Sequence, residues 1–377
     1  MARDLPGNAN TLPTPFVWQD PASLPPRPWL YGHHLLRGQV SVTVAPGGVG
    51  KSSLTICEAL AMASGRRILG DWTATGLRVW IFNLEDPRDE LQRRIIAAMA
   101  YHRIDRSEVE GRLFVDSGRE WPLCMAEQTR NGARLIRPMF EALAEQIHDR
   151  RIDVLIVDPF VSSHRLDEND NGAIDMVAKE WARLAGGCGC AIELVHHTRK
   201  TNGNEASTED ARGATALLGA ARSGRVLNRM TDAMKADAGL GDDPSTYFAV
   251  DRDKANLAPA GKRVWRRMAS YLLPNGDSVG VAEVWDYPDA FKGVTTADLL
   301  RVQHALEGKQ LRYSDQTPQW AGLCVADILG RDPEKDRKQI RKMIETWLRT
   351  GALIKTTIPG PNRRDIPILD VGEWATA

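Results

Sequence analysis

Between Ala45 and Ser53 the chain reads Ala-Pro-Gly-Gly-Val-Gly-Lys-Ser-Ser. These residue types at this spacing suit the capture of a triphosphate. Gly47, Gly48 and Gly50 can adopt positive φ, so successive backbone N–H groups can turn toward phosphate oxygens. A helix beginning at Lys51 would add the positive end of its dipole. Lys51 would reach the β- and γ-phosphates, and the Ser52 hydroxyl would coordinate Mg²⁺. Ala45 stands where the phosphate loop usually has its first glycine; Pro46, Val49 and Ser53 complete the run. The expected ligands are therefore ATP and Mg²⁺. An apolar strand before the loop (Val40 to Val44) and a helical run after it (Leu54 to Met62) supply the setting the motif requires.

Hydrolysis needs more than a phosphate cradle. Val154-Leu155-Ile156-Val157-Asp158 is an apolar strand ending in a carboxylate. On a parallel sheet Asp158 would emerge beside the phosphate loop and share the metal with Ser52. Proline follows it, so the group that activates water must lie elsewhere. The strand from Val79 to Leu84 runs into Glu85-Asp86-Pro87. Glu85 is favoured as the base, with Asp86 as the alternative or as a cap for the next helix. A third strand, Cys190 to Val195, ends in His196-His197-Thr198. An imidazole there could contact the γ-phosphate and sense its loss, while the other could fill a hydrogen-bonded niche.

Two further groups of cations follow. The polar, glycine-containing stretch from Arg199 to Gly213 holds Arg199, Lys200 and Arg212. At the ligand end of a compact core it would touch phosphates of a threaded strand, or be a solvated loop. Arg222, Arg225 and the run Asp251-Arg252-Asp253-Lys254-Ala255-Asn256 come next. A cation lent across a subunit interface to the γ-phosphate would couple hydrolysis to assembly. Spacing alone does not choose among them.

These residues must be carried by alternating strands and helices. The periodicity predicts strands near 40–45, 78–83, 112–116, 153–157 and 190–195, with helices near 51–64, 87–103, 133–149 and 172–185. Continuous apolar runs mark the early strands as buried and parallel. Later strands near 223–230, 246–251, 263–269 and 279–285 would extend the sheet. The fold class expected is an α/β core with a mainly parallel sheet and a C-terminal winged-helix domain.

The winged helix is read from helices at Ala297 to Leu306, Ala321 to Leu329 and Lys335 to Arg349, followed by a hairpin from Leu353 to Val371. Ile340, Met343, Ile344, Trp347 and Leu348 make one apolar face on the third helix. Lys338, Arg341 and Lys342 lie off that face, and Arg363 and Arg364 sit at the wing tip. They form a candidate surface for duplex DNA, with a protein-interaction module as the alternative.

The 49 Lys plus Arg balance the 49 Asp plus Glu, so any basic surface must be local. The five cysteines are scattered and read as reduced buried thiols. No apolar run reaches membrane-spanning length and the start is polar, so a soluble, cytoplasmic protein with no membrane partner is expected. Prolines punctuate the first 28 residues, giving an extended arm in which Phe16 and Trp18 would pack on their own domain or on a neighbouring subunit.

Together the Ala45–Ser52 loop, Leu84-Glu85-Asp86, the Val154–Pro159 strand, His196-His197-Thr198 and the run from Arg212 to Arg222 resemble the RecA-like ATPases, and among them the RepA-type hexameric replicative helicases. The resemblance covers about residues 30 to 260. It implies Mg-ATP hydrolysis at subunit interfaces, Glu85 as base, Asp158 at the metal, a histidine as γ-phosphate sensor and an arginine finger near Arg222. It also implies a homo-hexamer with single-stranded DNA in its channel. The domains expected are an arm (1–29), an ATPase core (30–290) and the winged helix (291–377). A ring-forming DNA helicase or translocase of plasmid, phage or mobile-element replication is the leading reading. A non-helicase ATPase whose nucleotide state switches DNA binding through the winged helix is the alternative.

Overall fold

A computed structural model describes residues 13–198, 205–207, 214–241, 243, 245–259, 261–360 and 365–376. The chain enters through β1 (Trp29–Tyr31) and β2 (Leu35–Leu36), then β3 (Val40–Ala45) and α1 (Lys51–Ser64). β4 (Val79–Asn83), α2 (Arg88–His102), α3 (Arg106–Val109) and β5 (Leu113–Ser117) follow. A small hairpin, β6 (Ala126–Thr129) and β7 (Gly132–Leu135), leads into α4 (Arg137–Arg150). Next come β8 (Val154–Asp158), α5 (Asn171–Cys188), β9 (Ala191–His197), α6 (Ala214–Ala220), β10 (Ser223–Arg229) and α7 (Asp232–Asp237). β11 (Thr246–Ala255), β12 (Val264–Leu272) and β13 (Ser278–Trp285) close this part.

Nine strands form one sheet in the order β13-β12-β11-β10-β3-β9-β8-β4-β5. The six from β10 to β5 are parallel, and β11, β12 and β13 extend the sheet with antiparallel pairs. This is the α/β fold with a mainly parallel sheet expected from the sequence. The middle strands β3, β4 and β8 are buried along their whole length, because apolar clusters cover both faces. Leu54, Ala61 and Ile95 of α1 and α2 pack on one face; Leu143, Val177 and Trp181 of α4 and α5 pack on the other. Strand β9 lies between β3 and β8, so the ends of these three strands meet on one edge. Brought together on that edge are the phosphate loop, Asp158 and the tandem histidines.

The helix expected at 133–149 begins only at Arg137, because Gly132–Leu135 pairs back on Ala126–Thr129. Three short helices, α3, α6 and α7, give too few turns for a periodic signal. Phe16 and Trp18 are 88 % and 72 % exposed, so neither packs on its own core. Arg27 donates to the Leu257 carbonyl at the base of this segment (3.1 Å).

Past the sheet lie α8 (Thr296–Leu306), α9 (Ala321–Leu329), α10 (Arg337–Arg349) and the antiparallel pair β14 (Leu353–Pro359) and β15 (Asp365–Val371). Their apolar residues form a third cluster around Val302, Trp320, Ile340, Met343, Trp347 and Leu369. Thr295 and Asp298 make a reciprocal cap at the start of α8. Between α8 and α9 the chain runs beside β15, with Leu369 N–H donating to the Leu311 carbonyl and Tyr313 N–H to that of Pro367 (2.9 and 3.1 Å).

Candidate active site

The turn after β3 is built by two of its glycines. Gly48 and Gly50 take φ of +71° and +113°, whereas Gly47 does not enter the left-handed region, contrary to expectation. Gly50 is constrained twice, since a Cβ there would lie 2.9 Å from Met268 Sδ. Ala45 and Val49 are buried, Pro46 is half-buried, and Gly47 and Gly48 face solvent. Thr198 N–H donates to the Ala45 carbonyl (3.1 Å), tying the loop to the end of β9.

Lys51 and Ser52 open α1 and both meet Asp158 at the end of β8. Ser52 Oγ donates to Asp158 Oδ2 (2.7 Å), and Lys51 Nζ lies 3.6 Å from Asp158 Oδ1. Asp158 is almost fully buried, and its Oδ1 has no hydrogen-bond partner. The buried Asp158 carboxylate and the Ser52 hydroxyl are oxygen donors that fit Mg²⁺, a hard cation that binds through oxygen. Ser53 turns away and donates to the Gly280 carbonyl (3.1 Å). A cleft of about 590 Å³ opens here, lined by Gly48, Lys51, Ser52, Arg93, Arg94 and Gly280. That volume lies in the usual range for small-molecule sites.

Glu85 and Asp86 separate cleanly. Asn83, buried at the end of β4, accepts both of their backbone N–H groups (3.0 and 2.7 Å) and so fixes the turn. Arg119 Nε donates to the Glu85 carbonyl (2.7 Å). Asp86 is paired with Arg94 (2.9 Å) and does not cap α2, whose N-cap is Pro87. Glu85 keeps a half-exposed carboxylate whose Oε1 is 3.8 Å from His197 Nε2. Gly118 packs against this turn so closely that a Cβ would meet Leu84 Cα at 2.9 Å.

The tandem histidines also separate. His196 is 1 % exposed and turns into a niche with the Phe160 ring and Glu168, whose Oε1 is 3.7 Å from its Nε2. His197 is half-buried and faces Glu85. Burial, and then the Lys51 charge, hold its pKa below the ordinary histidine value, so the imidazole is neutral at pH 7.

Of the arginines weighed as trans cations, Arg225 is excluded by its surroundings. It forms two 2.6 Å hydrogen bonds to Glu58 of α1, donates to Thr43 Oγ1 (2.7 Å), and lies 3.9 Å from Glu193 of β9. All four residues are buried. Thr43 donates to Glu193, whose Oε2 is 2.9 Å from His34 Nε2. Arg222 is exposed at the start of β10, at the sheet edge opposite the phosphate loop. A cation the sequence reading missed, Arg229, lies at the other end of β10 and donates to the Gly48 carbonyl (2.7 Å).

Arg199, Lys200, Arg212, Arg363 and Arg364 lie outside the described residues. The remaining basic candidates are engaged within the chain. Lys342 Nζ is 2.6 Å from Asp237 Oδ2 on α7, and Lys338 Nζ donates to the Ala236 carbonyl (3.3 Å). Arg341 lies 3.2 Å from Asp315. The surface of α10 expected to meet DNA is therefore partly docked on α7. Among the described residues no helix is long and apolar enough to cross a membrane.

A family model described as an AAA domain matches residues 7–203, just over half of the chain. The matched segment spans the phosphate loop, Glu85, Asp158 and both histidines.

Proposed function

The chain belongs to the AAA domain family, and from that premise we propose that it hydrolyses ATP as a ring of identical subunits moving on DNA, in the manner of RepA-type helicases. The observation that carries the ATPase reading is the meeting of Lys51, Ser52, Asp158, Glu85 and His197 on one sheet edge. Lys51 and the loop N–H groups would bind the β- and γ-phosphates. Ser52 and Asp158 would hold Mg²⁺, which when bound neutralises phosphate charge. Glu85 would take the proton of the attacking water as its oxygen bonds the γ-phosphorus and ADP departs. Neutral His197, near both Lys51 and Glu85, would hydrogen-bond the γ-phosphate and respond to its loss.

The ring rests on different support. Arg222 is remote from its own phosphate loop, as a finger reaching a neighbour's γ-phosphate would be. Exposed Phe16 and Trp18 would find cover on an adjacent subunit. For the C-terminal part, the order α8, extended segment beside β15, α9, α10, β14, β15 supports a winged helix. The residue ranges 1–29, 30–290 and 291–377 remain the proposed domains, in a cytoplasmic protein of plasmid, phage or mobile-element replication.

A second reading, an ATPase that switches DNA binding, is favoured by one observation: Lys338 and Lys342 are held by α7. The deciding experiment is the steady-state ATPase rate with and without single-stranded DNA, alongside particle mass by light scattering with ATP. Strong stimulation with a hexamer-sized mass supports the ring motor. A monomer or dimer indifferent to single strands supports the switch.

A further inference from the structure

Behind the phosphate loop, roughly 10 Å along α1 from Lys51 to Glu58 at 1.5 Å per residue, lies a second cavity. It measures about 50 Å³ and is bounded by β1 (Tyr31), the turn after it (His34), α1 (Glu58), Asp71, β10 (Arg225), β11 (Arg252), Lys262 and β12 (Arg266). That volume holds about three or four waters, the size of a tetrahedral oxyanion.

Its charges do not balance. Of the two lining carboxylates, Glu58 is taken by Arg225 through two hydrogen bonds, and Asp71 by Arg266 (3.2 Å). Arg252 and Lys262 also line it, and among the described residues neither has a carboxylate within 4.0 Å. Burial, and then the Arg225 charge, push the Arg252 guanidinium below its usual range. Four lining residues also carry a buried polar atom with no hydrogen-bond partner: Tyr31 Oη, Arg252 Nε, Arg266 Nε and His34 Nε2, the last of which faces Glu193 at 2.9 Å. Tyr31 and Arg266 are more than nine-tenths buried. Unsatisfied buried donors are costly, and here they surround a space with uncompensated positive charge.

We propose that this cavity is a second anion site, which takes a free tetrahedral oxyanion of the orthophosphate class. Arg252 and Lys262 supply the charge, while Tyr31 Oη and the Arg252 and Arg266 Nε–H groups donate to its oxygens. The anion would sit against the Arg225–Glu58 pair. That pair joins α1 to β10, so occupancy would be felt at both ends of the phosphate loop, through Lys51 and through Arg229. A site for the oxyanion that hydrolysis releases would make nucleotide turnover responsive to accumulated product.

The test uses the full chain with Lys51→Ala, which disables the phosphate loop as a competing site. Thermal unfolding is followed as orthophosphate or sulfate replaces chloride at constant ionic strength. The expected result is a saturable rise in Tm of about 2 °C at tenfold excess over Kd. It should vanish when Arg252→Gln is added and weaken with the milder Lys262→Ala, whose exposed side chain has no packing role that the fold would lose. No saturable rise, or a rise equal in both variants, overturns the proposal. The same phosphate chemistry could come from nucleotide on a neighbouring copy. In a second arm, orthophosphate on the dilute Lys51→Ala chain should shield Arg252 from phenylglyoxal. Shielding seen only in assembled wild-type chain with an ATP analogue assigns the phosphate to the neighbour and overturns the free-anion site.

Discussion

Arg225→Met removes the cation at the centre of the buried network and leaves the carboxylates of Glu58 and Glu193 in place, 4 % and 1 % exposed. Among the described residues no group other than Arg225 donates to the Glu58 carboxylate, which loses two 2.6 Å charged hydrogen bonds. His34 is the closest candidate for Glu193, but the first cause that holds its pKa below the usual histidine range is burial, which stays when the second, the Arg225 charge, is removed. Removing one partner of a buried pair costs about 3–5 kcal/mol, a large share of a typical total of roughly 5–15 kcal/mol. At about 1.3 °C per kcal/mol for a chain of this length, Tm should fall by roughly 4–6 °C. The double variant Glu58→Leu/Arg225→Met removes the stranded charge on α1 along with its partner. It should lose less stability than Arg225→Met alone, because apolar replacement of a buried pair is often close to neutral. Urea unfolding followed by circular dichroism gives both free energies. A loss below about 1 kcal/mol for Arg225→Met, or a double variant costing as much as the two singles added, would refute the coupling.

Glu85→Gln should retain ATP binding and lose turnover by a factor of about 10²–10⁴, the usual share of a general base, while Lys51→Ala should lose both; normal turnover in Glu85→Gln removes it as the base. Buried His164 is held down to about 4, first by burial and then by His196, and its Nδ1 accepts the Leu166 N–H only when neutral. Its folded pKa lies below the unfolded value, so the unfolded chain takes the proton first. Stability is then complete above about pH 6.5 and falls by up to about 3 kcal/mol as pH drops toward 4; His164→Asn should flatten that slope, and an unchanged slope counts against it. Asp237→Asn should free Lys342 and raise duplex-DNA affinity by up to about fivefold, since an exposed pair contributes at most about 1 kcal/mol. Equal affinity in variant and wild type means that the α7 contact does not mask α10.

The sequence by itself determined the parts whose chemistry is local. A glycine turn ahead of Lys51-Ser52 needs only backbone conformation, and apolar runs ending in Asp158, Glu85 or His197 announce buried strands with polar ends. The expected bounds of α1 and β3 match the structure residue for residue because strand, turn and helix signals abut there. Asn83 could have been read from its place two residues before Glu85, and Glu58 and Glu193 from standing inside otherwise apolar runs. What the two glutamates bind could not be read, because the partner of Glu58, Arg225, and two partners of Glu193, Thr43 and His34, are more than 100 residues away. Long-range packing set the carboxylate of Glu85 rather than that of Asp86 free of an arginine among the described residues, turned His197 rather than His196 toward Glu85, and buried Arg225 while leaving Arg222 exposed. Each of these choices lies between near neighbours of similar chemistry. The side of a strand or turn on which a residue emerges, and the group it meets there, depend on sheet order and helix packing. Those long-range contacts have no local signature.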